Sequence, residues 1–116
     1  MMFINGEWLT DRPTFPVYNP ATGEQIGEAA NGSSEQAQQA IVAAHAALPG
    51  WRAETAYARS AILYRAHQHM LEEQEELAKL MTREQGKPLK AAMNEVKYAA
   101  DFLLWFAEEA KRVYGE

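Results

Sequence analysis

The sequence predicts an α+β fold that is mostly helical, in which an N-terminal β-hairpin or meander (residues 1–32) precedes about four helices (residues 33–116). The first thirty residues contain short strand-forming runs separated by Pro, Asn and Gly, whereas the apolar residues from Ser33 onward recur at helical spacing. The 116 residues are 47% hydrophobic and contain no low-complexity tract, which favours a folded chain.

Three extended runs are expected before the first helix: Phe3 to Leu9, Phe15 to Tyr18, and Gln25 to Ala29. Pro13 and Pro16 cannot donate a hydrogen bond to a neighbouring strand, so the middle run is expected at the edge of its sheet. A small antiparallel hairpin or meander accommodates all three runs.

The segment from Asn19 to Glu24 carries the turn chemistry that joins the second run to the third. The Asn19 side chain can bond to the nearby backbone, Pro20 fixes φ at the first corner, and Gly23 supplies a positive φ near the exit. We therefore expect a compact reversal of the chain here.

The first helix is expected to begin at Ser33, whose hydroxyl can form a capping box with Gln36, and to end at Pro49 and Gly50. The apolar residues expected to share one face of this helix are Ala37, Ala40, Ile41, Ala44 and Leu48.

The second helix is expected to follow the capping residue Thr55 and to run to about Met70 or Leu71. The acidic stretch Glu72 to Glu76 suits the start of a third helix, which the corner at Gly86 and Pro88 would end. The expected inward residues are Ala58, Ile62, Leu63, Ala66 and Met70 in the second helix, and Leu77, Leu80 and Met81 in the third.

The fourth helix is expected from Leu89 to Tyr114 and is apolar on almost every side between Phe102 and Phe106. Such a helix has packing partners on more than one side, which three short helices do not supply, so this pattern predicts that part of the protein is missing. Tyr114 to Glu116 are interpreted as the end of this helix, with no further element following it. The residues of the expected main stripe are Met93, Val96, Ala100, Leu103, Ala107 and Ala110.

Composition excludes several classes of function. The 11 basic and 16 acidic residues give a net charge of −5, which disfavours nucleic acid and acidic membrane surfaces as partners. The start of the sequence lacks the pattern of a signal peptide, and its longest strongly apolar run, Phe102 to Ala107, is too short to cross a bilayer, so a cytoplasmic location is predicted. Zero cysteine excludes disulfides, thiolate zinc sites and a cysteine nucleophile within these residues.

The candidate catalytic motifs are individually weak. Gly86-Lys87 does not fit a phosphate-binding loop, because Met81 stands where a glycine is needed and Pro88 where a hydroxyl is needed, and Lys87 is interpreted as a solvated lysine. No Gly-x-Gly-x-x-Gly fingerprint occurs. Ser60 lies inside a helix without the strand-to-helix elbow that presents a serine nucleophile.

The three histidines also predict no site. His67 and His69 stand two residues apart on a helix and point to different sides, so they cannot chelate one metal ion together. They and His45 are interpreted as solvent-facing or helix-edge histidines. The lone Glu84 is interpreted first as a surface glutamate, and no catalytic residue is predicted.

Five segments carry a family resemblance: Phe3 to Trp8, Phe15 to Glu24, Trp51 with Arg59, Glu84 to Pro88, and Phe102 to Gly115. They occur in the order seen at the start of aldehyde dehydrogenases, and the chain resembles the N-terminal portion of that superfamily over essentially its whole length. The long helix is most similar to that of bacterial succinate-semialdehyde dehydrogenases, in Lys90 to Val96, Tyr98 to Ala100, Trp105 to Glu109 and Arg112 to Gly115. The resemblance implies a partial aldehyde dehydrogenase fold, from a protein that oxidises an aldehyde, such as succinate semialdehyde, to the carboxylic acid.

In that family a cysteine thiolate attacks the aldehyde, hydride passes to NAD or NADP, and a glutamate assists hydrolysis of the thioester. The resemblance places all of these residues beyond Glu116. It therefore implies that the catalytic domain is absent, that the isolated chain is inactive and that it binds no cofactor, whereas the full-length enzyme would bind NAD or NADP and a small aldehyde. The alternative is a non-catalytic helical module from a truncated gene, which forms a homo-oligomer or binds a partner through exposed apolar helix faces.

The resemblance also implies one ion site. Several family members bind a monovalent cation through two main-chain carbonyls just before the Asn-Pro turn and an acidic side chain just before Gly-Lys-Pro. The matching residues are Val17, Tyr18 and Glu84.

Overall fold

The structure is a computed structural model that describes residues 1–10 and 13–113. Four short strands are β1 (Met2–Ile4), β2 (Glu7–Leu9), β3 (Thr14–Tyr18) and β4 (Gln25–Ala30). Four helices follow: α1 (Ser34–Ala53), α2 (Ala56–Glu72), α3 (Gln74–Gln85) and α4 (Leu89–Glu109). This arrangement confirms the mostly helical α+β fold. The strands all precede the helices, and the chain divides into two compact units, Met1–Ala53 and Glu54–Glu116, each of which is described by itself.

The first expected strand is in fact a hairpin of its own. β1 pairs antiparallel with β2, and Phe3 lies opposite Trp8 with their rings 5.0 Å apart. The reversal falls at Asn5 and Gly6, which have φ values of 53° and 83°. Because Asn-Gly adopts two successive left-handed conformations readily, it forms the two-residue turn of a hairpin. The prediction of one continuous run from Phe3 to Leu9 was therefore wrong.

The second hairpin contains the expected turn. β3 pairs antiparallel with β4, and the Asn19 side-chain Oδ1 accepts a hydrogen bond of 2.9 Å from the backbone N–H of Ala21. Gly23 has a φ of 75° and donates its N–H to the Asn19 carbonyl at 2.8 Å. These contacts confirm the compact reversal. Among the described residues the strands form two separate two-stranded sheets, so Pro16 does lie on an edge strand.

Helix α1 begins as expected and ends later than expected. The Ser33 N–H donates to Gln36 Oε1 at 2.8 Å, and the Gln36 N–H donates to Ser33 Oγ at 3.3 Å, which is a complete capping box. The helix continues through Pro49 to Ala53, so the predicted end at Pro49 was wrong. Proline has a φ that suits a helix, although its missing N–H leaves the carbonyl four residues earlier without a partner and its ring crowds that carbonyl. The expected apolar face is largely uncovered, with Ile41 69% exposed.

The core of the second unit lies where α2 and α3 pack against α4. Its fully or nearly buried residues are Ala78, Ala92 and Val96, and three methionines pack around them: Met70, Met81 and Met93. Ala100 and Ala107 are also buried on α4. Alanines at these positions let the helix backbones approach closely, since the distance between packed helices depends on the side chains at the contact. The predicted stripe on α4 is thus confirmed at Val96, Ala100 and Ala107.

The inward faces of α2 and α3 match the prediction only in part: Met70 and Met81 pack against the core as predicted, and other positions differ. In α2, Ser60 and His67 are buried, whereas Ile62 is exposed. In α3, Ala78 is buried, whereas Leu77 and Leu80 are exposed. Both helices present small or hydrogen-bonding residues to the alanine-rich side of α4, because larger side chains would hold the backbones apart.

Helix α4 ends at Glu109, five residues before the predicted end. The backbone N–H of Lys111 bonds to the Glu108 carbonyl and that of Arg112 to the Glu109 carbonyl, at 3.2 and 2.9 Å. Bonds that span three residues mark the tightened turn with which many helices finish. The stop predicted at Tyr114 to Glu116 lies outside the described residues.

Candidate functional site

Val17 and Tyr18, two of the three residues predicted to bind a cation, are the last residues of β3 and lead directly into the turn at Asn19. Val17 pairs with Gly27 and Tyr18 with Gln25, so one extra residue of β4, Ile26, interrupts the pairing between them. A bulge of this kind disrupts the ladder locally and re-aims the backbone groups beside it. The strand therefore ends beside an irregularity in the ladder, directly before the turn.

Glu84, the third predicted ligand, lies in the last turn of α3 and is exposed. Among residues 1–10 and 13–113, no ion pair involves its carboxylate. Val17 and Tyr18 belong to the unit Met1–Ala53 and Glu84 to the unit Glu54–Glu116. Carbonyl and carboxylate oxygens are hard donors of the kind that such cations prefer, so the chemistry of the donor set fits the ion.

The Gly86-Lys87-Pro88 corner connects α3 to α4. Gly86 has a φ of 72° and donates its N–H to the Thr82 carbonyl at 2.9 Å, which confirms the predicted end of α3. The Pro88 carbonyl accepts hydrogen bonds from the N–H groups of Ala91 and Ala92 in the first turn of α4, at 2.9 and 3.0 Å.

Lys87 is half-buried and forms an ion pair with Glu95 of α4. The interpretation of Lys87 as a solvated lysine was therefore wrong. The reason lies in the sharp corner that leads into α4. Lys87 lies close beside α4 there, so its ammonium group reaches the carboxylate of Glu95, eight residues later.

His67 is buried, contrary to its interpretation as a solvent-facing or helix-edge residue. Its side chain is 8% exposed, and its Nδ1 lies 2.9 Å from the Ala100 carbonyl, to which it donates because a carbonyl can only accept. His69, by contrast, is exposed and pairs with Glu72 at 3.1 Å. The two histidines do point to different sides, as predicted. The spacing of His67 from Leu63 and Met70 places all three on one helical face, and this is the signal that indicates burial.

The acidic start of α3 is a solvated surface with local ion pairs. Lys79 contacts both Glu75 and Glu76 at 2.8 Å. The hydrogen bond from Lys79 holds the pKa of Glu75 below its usual value, and the same bond raises the pKa of Lys79. At the start of α1, the hydroxyl of Ser33 lowers the pKa of Glu35. In the part of the chain that the structure describes, no cluster of three or more acidic or histidine side chains could hold a metal ion.

Four aromatic side chains on α4 form an exposed surface, here called the aromatic face: Tyr98, Phe102, Trp105 and Phe106. They are 64%, 48%, 63% and 55% exposed, respectively. The rings of Tyr98 and Phe102 meet edge to face at 4.8 Å, and the face contains a shallow hollow of about 270 Å³. The expectation that α4 is apolar beyond what the other helices cover is therefore confirmed for Phe102, Trp105 and Phe106. None of the helices in the described ranges has the length and hydrophobicity needed to cross a membrane.

Comparison with known proteins gives the chain its family. The model of the aldehyde dehydrogenase family matches residues 8–116. Over 98% of its length the chain is 54% identical to a glutarate-semialdehyde dehydrogenase of Pseudomonas putida, and over 97% it is 49% identical to the NADP(+) succinate-semialdehyde dehydrogenase of Escherichia coli K12. It covers 24% of each of these proteins.

A crystal structure of succinate-semialdehyde dehydrogenase from Burkholderia pseudomallei matches 98% of this chain with a TM-score of 0.92 and 46% identity. The match covers 24% of that structure, so the chain spans about a quarter of the proteins it resembles. The chain therefore belongs to the aldehyde dehydrogenase family and corresponds to the N-terminal portion of its semialdehyde dehydrogenases.

Proposed function

We propose that these residues form the N-terminal part of an NAD(P)-dependent aldehyde dehydrogenase that oxidises a semialdehyde, with succinate semialdehyde as the first candidate, to the dicarboxylic acid. The observation that carries the proposal is the identity of 49% to 54% with semialdehyde dehydrogenases along almost the whole chain. Succinate and glutarate semialdehydes differ by one methylene group, which a binding site distinguishes only modestly. The cytoplasmic location predicted from the sequence belongs to the same proposal.

In this proposal these residues contribute to the structure of the enzyme and provide none of its catalytic groups. The thiolate mechanism of the family needs a cysteine, and the sequence has none. The described residues instead provide two hairpins and a four-helix segment whose α4 exposes the aromatic face, a surface suited to packing against further protein. The isolated 116-residue protein is accordingly inactive and binds no nicotinamide cofactor.

A chimera tests the assignment directly. The 116 residues would replace the matching N-terminal segment of the E. coli relative, and succinate-semialdehyde oxidation with NADP+ or NAD+ would be followed by absorbance at about 340 nm, the maximum of the reduced cofactor. We expect kcat/KM within about tenfold of the parent enzyme, which corresponds to about 1.4 kcal/mol in the barrier. The 116-residue protein alone should give no reduced cofactor above the protein-free control.

Two results would contradict the proposal. One is a chimera that is folded by circular dichroism and gel filtration yet oxidises none of the semialdehydes. The other is turnover by the isolated chain, which would require a nucleophile other than cysteine.

The cation site predicted from the resemblance is part of this proposal, with the Val17 and Tyr18 carbonyls and the Glu84 carboxylate as ligands. In the chimera, Glu84→Gln should raise the K⁺ concentration needed for half-maximal stimulation of activity about tenfold, because the amide replaces the only charged ligand of the three. Potassium chloride would be compared with choline chloride at equal ionic strength. Glu73→Gln, at an exposed glutamate before α3, is the matched control. Equal potassium responses in both variants would remove Glu84 from the site.

The second candidate is the non-catalytic module, which self-associates or binds a partner. The observation that favours it is the aromatic face, since monomeric proteins seldom expose a contiguous apolar patch of this kind. The two candidates are compatible, because one concerns the larger enzyme and the other the 116-residue protein by itself.

A further inference from the structure

Three methionines from three different helices meet at the core of the second unit, and we call them the methionine cluster. Met70 belongs to α2, Met81 to α3 and Met93 to α4, and all three pack against the same buried residues. The sequence has five methionines, of which the other two, Met1 and Met2, are its first residues. Every thioether beyond the N-terminus is therefore placed where α2 and α3 pack against α4.

Each member of the cluster is half-buried, so it contacts the core and is also partly open to solvent. Met93 lies nine residues before Phe102, which is two and a half helical turns, so the two side chains point to opposite sides of α4. Protein that covered the aromatic face would thus lie on the far side of α4 from Met93. A small oxidant can approach the cluster from solvent.

Oxidation of a thioether at this place is simple as chemistry and costly for packing. The sulfur lone pair attacks one oxygen of hydrogen peroxide, an S–O bond forms as the O–O bond breaks, and the second oxygen leaves with both hydrogens as water. The sulfur loses two electrons, and the sulfoxide formed is polar. The buried residues beside it, Ala78, Ala92 and Val96, have no polar side chain to bond to it. The oxidised side chain therefore turns out of the core or draws water into it.

We propose that the methionine cluster is a site of reversible oxidation by peroxides, and that its sulfoxides loosen the packing of α2 and α3 on α4. The Gln74 side-chain amide donates to the Met93 carbonyl at 2.9 Å, so the backbone that carries one of the thioethers also joins α3 to α4. Sulfoxide reductases restore the thioether as two thiols become a disulfide and the oxygen leaves as water. The proposal is independent of the proposed function.

Peptide mapping by mass spectrometry, after hydrogen peroxide is added to the folded protein, measures each methionine separately. We expect sulfoxide at all three positions of the cluster, formed about tenfold more slowly than at Met1, which is 75% exposed. The rate should stay constant in urea below the unfolding transition, because the reaction does not require unfolding. The same mapping on the chimera tests the cluster within a complete enzyme.

Urea unfolding followed by circular dichroism measures what the sulfoxides do to the fold. The oxidised protein should have a urea midpoint about 1 M lower than the reduced protein, and the two sulfoxide reductases, one for each epimer, should restore it. A triple variant with Met70→Leu, Met81→Leu and Met93→Leu keeps a similar core volume and should show no shift after the same treatment. Met2→Leu is the matched control and should shift as the wild type does.

Four results would overturn the proposal. They are cluster thioethers that stay reduced in the folded protein or the chimera while Met1 is oxidised, oxidation that follows only the unfolded fraction, a wild-type midpoint that oxidation of the cluster leaves in place, and a triple variant that shifts as the wild type does. If the triple variant does not fold, the three single leucine variants replace it, and each should reduce the shift. The enzyme assay of the chimera without peroxide reports on the proposed function separately.

Discussion

Replacing His67 with alanine is expected to lower the free energy of unfolding by about 3 kcal/mol. The imidazole is buried between α2 and α4, and its Nδ1 donates to the Ala100 carbonyl at 2.9 Å. The substitution removes that hydrogen bond and leaves a cavity in a tightly packed region. Urea unfolding followed by circular dichroism at 222 nm, roughly the helix minimum, measures the change.

His69→Ala is the matched control for this prediction. His69 lies two residues away on the same helix and is exposed. Within the described residues its only salt bridge is with Glu72, which is also exposed. Such surface pairs contribute little, so we expect a change within about 0.5 kcal/mol. Equal losses in the two variants would show that burial of His67 does not stabilise the unit.

Enlarging Ala92 to leucine is expected to destabilise the second unit by about 2–3 kcal/mol. Ala92 is completely buried beside Ala78 and Val96, where α3 meets α4. Three added carbons have no space there unless the helices separate, which would also weaken the contacts of the surrounding methionines. Thermal and urea unfolding of the purified protein would both report the loss.

Ala99→Leu provides the comparison for Ala92→Leu on the same helix. Ala99 is exposed, so the same added volume meets solvent and should change the free energy of unfolding by less than about 0.5 kcal/mol. If the two leucine variants were equally stable, the close approach of α3 and α4 at Ala92 would be wrong.

Features governed by neighbouring residues were predictable from the sequence. The capping box of Ser33 and Gln36, the Asn19 to Glu24 turn and the left-handed Gly86 each depend on groups only a few residues apart. Their chemistry is complete within a short segment, so tertiary structure has little opportunity to alter it. The Asn5-Gly6 turn belongs to this class too, and its two-residue hairpin signal was available in the sequence.

Features decided by packing were not predictable in the same way. The inward faces of α2 and α3 follow from the alanine surface of α4, which favours Ala78 over Leu77 and Leu80 at the contact. The apolar pattern alone ranks leucine above alanine and histidine as a core residue, whereas the distance between the helices reverses that order. Pro49 shows the same limit, because whether a proline ends a helix depends on what surrounds it.

The place of each predicted cation ligand within its own strand or helix was predictable from the sequence. Val17 and Tyr18 do end a strand before the turn, and Glu84 does lie in the last turn of a helix. The ion pair of Lys87 with Glu95 could not be predicted, since it depends on the corner geometry at Gly86.

The hydrogen bond between His67 and Ala100 joins residues 33 positions apart, and the buried Ala107 lies later still. During synthesis from the N-terminus, both hairpins can pair as soon as the residues up to Ala30 are free of the ribosome. Helices α2 and α3 have no alanine surface to fold against until most of α4 has emerged. Until then the apolar side chains of α2 and α3 stay exposed to solvent in the nascent chain, which makes that interval the one most open to aggregation.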